Sequence, residues 1–357
     1  MPVATKSSPL ATVLDSMTVE GALELTEQLE GGAVKCFACG HRCLINEGKR
    51  GICKVRFNEG GHLRVPINYV AALACDPTEK KPLFHVLPGS DTLTFGMLGC
   101  DLHCSYCQNW LTSQALRDDA AGTEPTAVSA ERLVAMAHAN RASLVASSYN
   151  EPLITAEWAV EVFKQARPQG FKTAFISNGN ATPQVLDYLR PWTDCYKIDL
   201  KSMSDKNYRQ LGGVVDNILE TVKMVNERGF WEEIVTLVIP GFNDGPDELK
   251  RAAEFIASVS PDIPWHVTAF HQDYRMTDNS NTTTEQLINA CEIGKAAGLN
   301  YVYAGNLPGR VGRWENTYCP SCDQLLVERY GYQILQVRVT SEGACPSCRR
   351  RIPGIWS

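Results

Sequence analysis

The sequence has no apolar run near the ~20 residues that span a bilayer, and no basic N-terminal segment followed by an apolar stretch. Neither a membrane helix nor an export signal is expected, and a cytoplasmic location is. There is no basic tail. The formal charge of −6 disfavours a general nucleic-acid binder, and Arg349-Arg350-Arg351 reads as a solvated patch. No G-x-G-x-x-G fingerprint opens the first strand–helix unit, which argues against a dinucleotide-binding sheet. A disulfide framework is not expected either. The chain is large, and most of its 14 cysteines fall in metal-ligand spacings, as in a reducing compartment. Its 357 residues suggest two domains, or one barrel with appendages.

What the chain does contain is cysteine in three sets. Cys100, Cys104 and Cys107 follow the apolar run Leu93–Leu98 in the spacing C-x3-C-x2-C. Three thiolates on a tight loop hold three corners of an iron–sulfur cube, which needs four ligands when all are cysteine. One iron then keeps an exchangeable site, and an open iron implies chemistry. Cys36, Cys39, Cys43 and Cys53 lie within eighteen residues interleaved with glycine; four soft ligands suit zinc or a second iron–sulfur cluster, in a structural role. Cys319-Pro-Ser-Cys322 and Cys345-Pro-Ser-Cys348, twenty-two residues apart, read as a zinc ribbon around the β-like stretch Leu325–Val339. A unit this small needs its metal to fold. Cys75, Cys195 and Cys291 remain, with core packing the plain reading for the last two.

Between Leu93 and Gly305 apolar β-branched runs alternate with helical periodicity. The expected strands are Leu93–Leu98, Ser143–Ser148, Lys172–Ser177, Asp194–Leu200, Glu233–Ile239, Trp265–Phe270 and Asn300–Ala304. Expected helices include Ala130–Ala139, Thr155–Ala166, Pro183–Leu189, Asp216–Glu227, Pro246–Ser258 and Thr284–Ala297, with start signals at Ser129, Thr182-Pro183 and Asp244-Gly245-Pro246. Such alternation means a parallel sheet buried on both faces, here a partial or full (β/α) barrel. Polar motifs follow nearly every strand: the cysteine loop, Tyr149–Pro152, Ser177–Gly179, Asp199–Lys201, Pro240–Asp244, His271–Tyr274 and Gly305-Asn306. Barrels of this kind carry their sites at the C-terminal strand ends, so these motifs are expected to converge. Before the barrel, residues 1–30 suggest a loose start and then a helix with Val19, Leu23, Leu25 and Leu29 on its apolar side. Asp76–Pro82, polar and bracketed by proline, reads as a linker, and His85 as an ordinary packed or exposed histidine.

An open iron on a cube can chelate an amino acid through its amino and carboxylate groups. S-adenosylmethionine (SAM) offers both beside a sulfonium, and an electron from the cluster can break a carbon–sulfur bond to release a 5′-deoxyadenosyl radical. The methionine ammonium needs an acceptor, for which Glu151 is placed. Asp199, Lys201 and His271 suit ribose and carboxylate contacts, and Asn178 the methionine or ribose.

The loop Gly99–Trp110, with Tyr106 before the third cysteine, resembles the signature of radical SAM enzymes. Asp76–His85, Tyr149–Pro152, Ile198–Lys201, Leu237–Asp244, Pro264–Val267 and Gly305–Gly309 resemble one branch, the radical enzyme of the AmmeMemoRadiSam system. That branch is similar to activases of glycyl-radical enzymes such as pyruvate formate-lyase. The resemblance spans roughly residues 36–350. It implies a partial barrel, a [4Fe-4S] cluster on Cys100, Cys104 and Cys107, and SAM with the Tyr106 backbone on adenine. It sets Glu151 in the acidic position of a Gly-Gly-Glu-Pro motif, with Tyr-Asn replacing Gly-Gly. Implied partners are a reductant such as flavodoxin or ferredoxin, and Memo-like and AMMECR-type proteins. The expected organisation is an accessory region (1–92), a radical SAM barrel (93–310) and a zinc-ribbon unit (311–357). The leading expectation is hydrogen abstraction from an unidentified substrate. A glycyl-radical activase and an electron-transfer or metal-binding scaffold are the alternatives, and nucleic-acid modification is disfavoured by charge.

Overall fold

The computed structural model describes residues 9–357; the loose start expected for the first residues lies largely outside that range. One eight-stranded sheet organises the molecule. Its strands are β1 (Ala72–Pro77), β2 (Asp91–Gly96), β3 (Leu144–Ser147), β4 (Lys172–Ser177), β5 (Cys195–Asp199), β6 (Trp231–Val238), β7 (Trp265–Ala269) and β8 (Val302–Gly305). They lie side by side in chain order. All neighbours from β2 onward are parallel, and β1 runs antiparallel against β2, Ala72 facing Gly96 and Pro77 facing Asp91. Among the described residues β1 and β8 do not pair, so the barrel is open along one side.

Six helices form where the sequence signals place them, and a seventh, Asp205–Leu211, was not among those expected. They are α1 (Ala130–Ala139), α2 (Ala156–Ala166), α3 (Pro183–Leu189), α4 (Asp205–Leu211), α5 (Val215–Glu227), α6 (Pro246–Val259) and α7 (Thr284–Ala296). The side chains of Ser129 and Thr182 accept the backbone N–H three residues on, at 3.3 and 3.2 Å, which satisfies a donor the helix leaves unpaired. Thr283 and Gln286 close a reciprocal capping box. Alternation along β5 divides its side chains. Tyr196 and Ile198 face the helices in the main core with Trp158, Phe163 and Leu186. Cys195 turns inward to a plug of Leu83, Val86, Leu144 and Ala174 that fills the barrel floor, and Cys291 is buried on α7.

Two further regions depart from the sequence-based expectation. The helix expected along Val19–Leu29 does not form: a short helix, Pro9–Asp15, is followed by strands Thr18–Glu20 and Thr26–Gln28 around a 3-10 turn. Both strands pair with later partners, His62–Pro66 and Val34–Cys36, so tertiary pairing overrides a weak periodicity. Asp76–Pro82 is not a linker. It is the end of β1 and a 3-10 turn, Thr78–Lys80, with Thr78, Glu79 and Lys81 buried.

The C-terminal segment covers the open side. Strands β9 (Thr317–Tyr318), β10 (Leu325–Tyr330) and β11 (Gln333–Val337) form an antiparallel sheet. Cys319, Leu326, Cys345 and Ile352 share one core with Phe84, Tyr301 and Tyr303. Polar contacts fix the seam. Glu233 accepts the backbone N–H of Phe84 and His85 at 2.9 Å each and pairs with His266 at 2.6 Å. Arg329 donates to the Phe84 carbonyl at 2.7 Å while lying over its ring. His85 is fully buried between Tyr303 Oη (2.6 Å) and the Pro353 carbonyl (2.7 Å). Burial pushes its pKa down to about 4, so it serves the seam as a neutral ring.

Candidate active site

A cavity of 400 Å³ opens at the C-terminal ends of the strands, within the range of small-ligand sites. Cys100, Cys104 and Cys107 line it together with Tyr106, Tyr149–Glu151, Asn178, Lys197, Asp199, Lys201 and Gly305-Asn306. Five of the seven expected motifs therefore converge. The other two do not reach the lining. Asn243 of Pro240–Asp244 is buried as a brace: its side chain bonds Ile239 N–H (2.7 Å) and the carbonyls of Lys201 and Leu237 (2.8 Å each). His271 stands exposed at the rim, its Nε2 3.0 Å from Gln108 Nε2. Its placement after β7 located the right end of the barrel, but the loop runs outward rather than in.

No other cysteine lines the cavity. Cys75 lies partly buried on the edge strand β1, and Cys195 and Cys291 are in the core. Burial pushes the thiols of Cys100, Cys104 and Cys107 up, Cys104 to about 12. Holding them as thiolates takes a cationic partner.

Glu151 is 3% exposed. Its Oε1 accepts from Leu153 N–H (3.0 Å) and Ser177 Oγ (2.7 Å), and Oε2 from Asn178 N–H (2.7 Å). Among the described residues no lysine or arginine pairs with it. Burial and then the nearby charge of Asp101 push its pKa up. The site is thus a buried carboxyl group with unused acceptor capacity and no countercharge among the described residues, which suits an amino-group donor. Tyr149 just before it adopts φ +69°, a left-handed conformation costing a non-glycine residue about 1–2 kcal/mol. This is the conformation that a glycine would supply freely. The tyrosine is held there by its ring under Lys81 Nζ (5.2 Å) and by its hydroxyl on Asp76 (3.5 Å).

Asp199 bonds Lys197 and Lys201, the latter at 3.3 Å. Burial opposes its ionisation, but the two ammonium groups outweigh it and hold its pKa low. Burial likewise opposes the charge of Lys201, which Asp199 and Cys104 restore. Asn178 donates to Asp101 Oδ1 at 2.7 Å, so its side chain braces the cysteine loop as well as lining the cavity. The Tyr106 ring is buried edge-on to Phe242.

Sequence reasoning missed the far end of the cavity. Glu79, Lys80, Lys81, Pro82, Phe84, His266, Thr268 and Tyr332 line it. Glu79 Oε1 accepts Gly89 N–H at 3.0 Å, while its buried Oε2 has no partner among the described residues. Lys81, 5% exposed, is paired to Asp76 at 3.2 Å. The available signal was the charge of Asp76–Lys81 packed between two prolines. Tyr332 comes from the turn between β10 and β11, its hydroxyl 3.4 Å from Asn306.

Residues 95–256 match the radical SAM superfamily. An uncharacterized protein of Methanocaldococcus jannaschii, MJ0808, is 35% identical over 329 residues, spanning 91% of this chain and 97% of its own. The chain belongs to the radical SAM superfamily. It is a radical SAM enzyme, and membership implies a [4Fe-4S] cluster and SAM. The pyruvate formate-lyase 1-activating enzyme of Escherichia coli is 29% identical over 196 residues, 52% of this chain and 78% of that one. Among solved structures, a domain of the pyruvate-formate lyase-activating enzyme of Bacteroides vulgatus aligns at 24% identity and TM-score 0.41, over 46% of this chain and 99% of that domain.

Proposed function

We propose that this radical SAM enzyme cleaves SAM at a cluster held by Cys100, Cys104 and Cys107, and that the radical abstracts hydrogen from a substrate at the Glu79–Tyr332 end of the cavity. The observation carrying this is that the cysteine loop, the uncompensated Glu151 and a second polar end lined by Glu79, Lys81 and Tyr332 share one cavity. The cluster supplies the electron that divides SAM into methionine and the 5′-deoxyadenosyl radical. Glu151 accepts from the methionine amino group, with Asn178 beside it. Asp199 and Lys201 take the ribose and carboxylate, and the Tyr106 backbone the adenine. Reduced, cluster-loaded protein with SAM should release 5′-deoxyadenosine; no release from competent protein refutes the reading.

The proposal extends to the AmmeMemoRadiSam branch, a reading the motif resemblance supports, with Memo-like and AMMECR-type proteins as functional company and a flavodoxin or ferredoxin as reductant in the cytoplasm. The division into 1–92, 93–310 and 311–357 follows the cysteine sets, and the last unit is read as a zinc ribbon. A second reading, glycyl-radical activase, rests on the likeness to the Escherichia coli activating enzyme. It predicts a glycyl electron-spin signal on a co-encoded partner.

A further inference from the structure

Zinc and an iron–sulfur cube ask different things of four thiolates. Zn–S bonds of ~2.3 Å bring tetrahedral donors within about 4 Å of one another. The C-terminal cysteines have that density. All four donors lie within 4.8 Å, with Cys319–Cys348 at 3.5 Å and Cys322–Cys345 at 3.7 Å. Among the described residues no other group of three or more potential ligands gathers so closely. Cys36, Cys39, Cys43 and Cys53 do not, although three of them are buried and Cys39, Cys43 and Cys53 each lie within electrostatic reach of Cys36. In this they match Cys100, Cys104 and Cys107. A cube spreads its cysteines because each binds a different corner.

The N-terminal cysteines are also fastened to the central loop. His41 Nε2 lies 3.1 Å from the Asp101 carbonyl. Gly40 N–H donates to the Asn180 carbonyl at 2.7 Å, and a Cβ on Gly40 would meet Asn217 Nδ2 at 2.2 Å. Gly99, at φ +95°, leaves room for the Cys53 carbonyl and Val55, which a Cβ would meet at 3.2 and 2.9 Å. Between the two sets the Asp101 carboxylate is gripped by Asn178 and Asn180 at 2.7 Å each. It acts electrostatically on Cys39 and Cys43 on one side and Cys100 on the other. Arg56, 1% exposed and paired to Glu157 at 2.7 Å, sets a fixed positive charge near Cys36 and Cys53, offsetting the negative charge of four thiolates.

We propose that Cys36, Cys39, Cys43 and Cys53 hold a second, fully cysteine-ligated iron–sulfur cluster that passes single electrons to the central one across the Gly99–Asp101 contact. The electron enters from a one-electron reductant, reduces the second cluster, moves to the central cluster and is consumed in carbon–sulfur cleavage. The second cluster returns to its oxidised state, and no proton or group moves between the two. This rests on the radical SAM reading of the central loop.

The test is metal content and electron paramagnetic resonance of the anaerobically prepared full chain. The proposal expects about eight iron and about one zinc per chain, from two four-iron clusters. The variant C100A/C104A/C107A should keep about four iron and a reduced-cluster signal that SAM does not change. In C36S/C39S/C43S/C53S the ratio of cleavage driven by reduced flavodoxin to that driven by dithionite should fall at least ~10-fold. About four iron and two zinc in the wild type, or an iron-free triple variant, overturns the second cluster; an unchanged ratio overturns the relay. Failure of the radical SAM reading looks different: no 5′-deoxyadenosine from wild type, whatever its iron content.

Discussion

Replacing Glu151 by glutamine tests the cofactor end of the cavity with almost no change in shape. The carboxylate is ringed by three donors at 2.7–3.0 Å and faces no cationic side chain. Hydrogen bonds to charged groups contribute about 1.5–3 kcal/mol. Losing the charged acceptor opposite the N–H groups of the methionine amino group should therefore weaken SAM binding about 10- to 150-fold, since ~1.4 kcal/mol is tenfold. The sign of the pH dependence follows from the same geometry. Burial, with Asp101 nearby, raises the carboxyl's pKa in the free protein, whereas a bound cation favours the ionised form. A proton must leave when the ligand enters, so wild-type affinity should rise as pH climbs through the raised value. That rise should vanish in Glu151→Gln. Anaerobic calorimetry of SAM binding to cluster-loaded protein at several pH values measures both effects. A variant whose dissociation constant stays within twofold of wild type, with the same pH slope, would refute the assignment.

Three other outcomes follow from named contacts. Burial raises the pKa of Glu79, so the folded state retains its proton to higher pH than the unfolded chain. The stability contributed by Glu79 should then fall as pH rises above the ordinary carboxylate range, and Glu79→Gln should flatten that part of a urea-denaturation series. Glu157→Ala strands the Arg56 guanidinium, both partners being buried; unfolding free energy should drop by about 3–5 kcal/mol, seen as a lower urea midpoint. Chelating the metal at Cys319, Cys322, Cys345 and Cys348 should lower the thermal midpoint and increase proteolysis within β9–β11, because that unit shares its core with Phe84, Tyr301 and Tyr303. An unchanged melt after the metal has left would contradict it.

The barrel was legible because its strands carry their own punctuation. Lys172–Ser177 is apolar, β-branched and preceded by Gly170 at φ +89°, and α1 begins at the capping serine the sequence signals. The cysteine loop was legible because three ligands on one loop need no distant partner to be recognised. What failed depended on distant partners. Asp76–Lys81 looks like solvent-exposed sequence until Lys81 finds Asp76 and Glu79 finds Gly89 N–H in the fold. The strands near Val19 exist only because later strands pair with them. His271 shares its position after a strand with the residues that line the cavity, and periodicity does not report which way a loop turns. Tyr332 is more than two hundred residues from the cysteine loop, and nothing local hints that the two share a cavity.

That separation has a consequence for how the protein comes into being. The cavity's flank is made late: Asn306 and Tyr332 leave the ribosome long after the thiol loop and β1–β6 have emerged. A nascent chain therefore presents its iron-binding face on an unshielded half-barrel, where a highly reactive species would meet solvent. Tyr332 of the C-terminal unit completes that flank in the finished fold, so the four cysteines that gather the unit also hold one wall of the cavity in place.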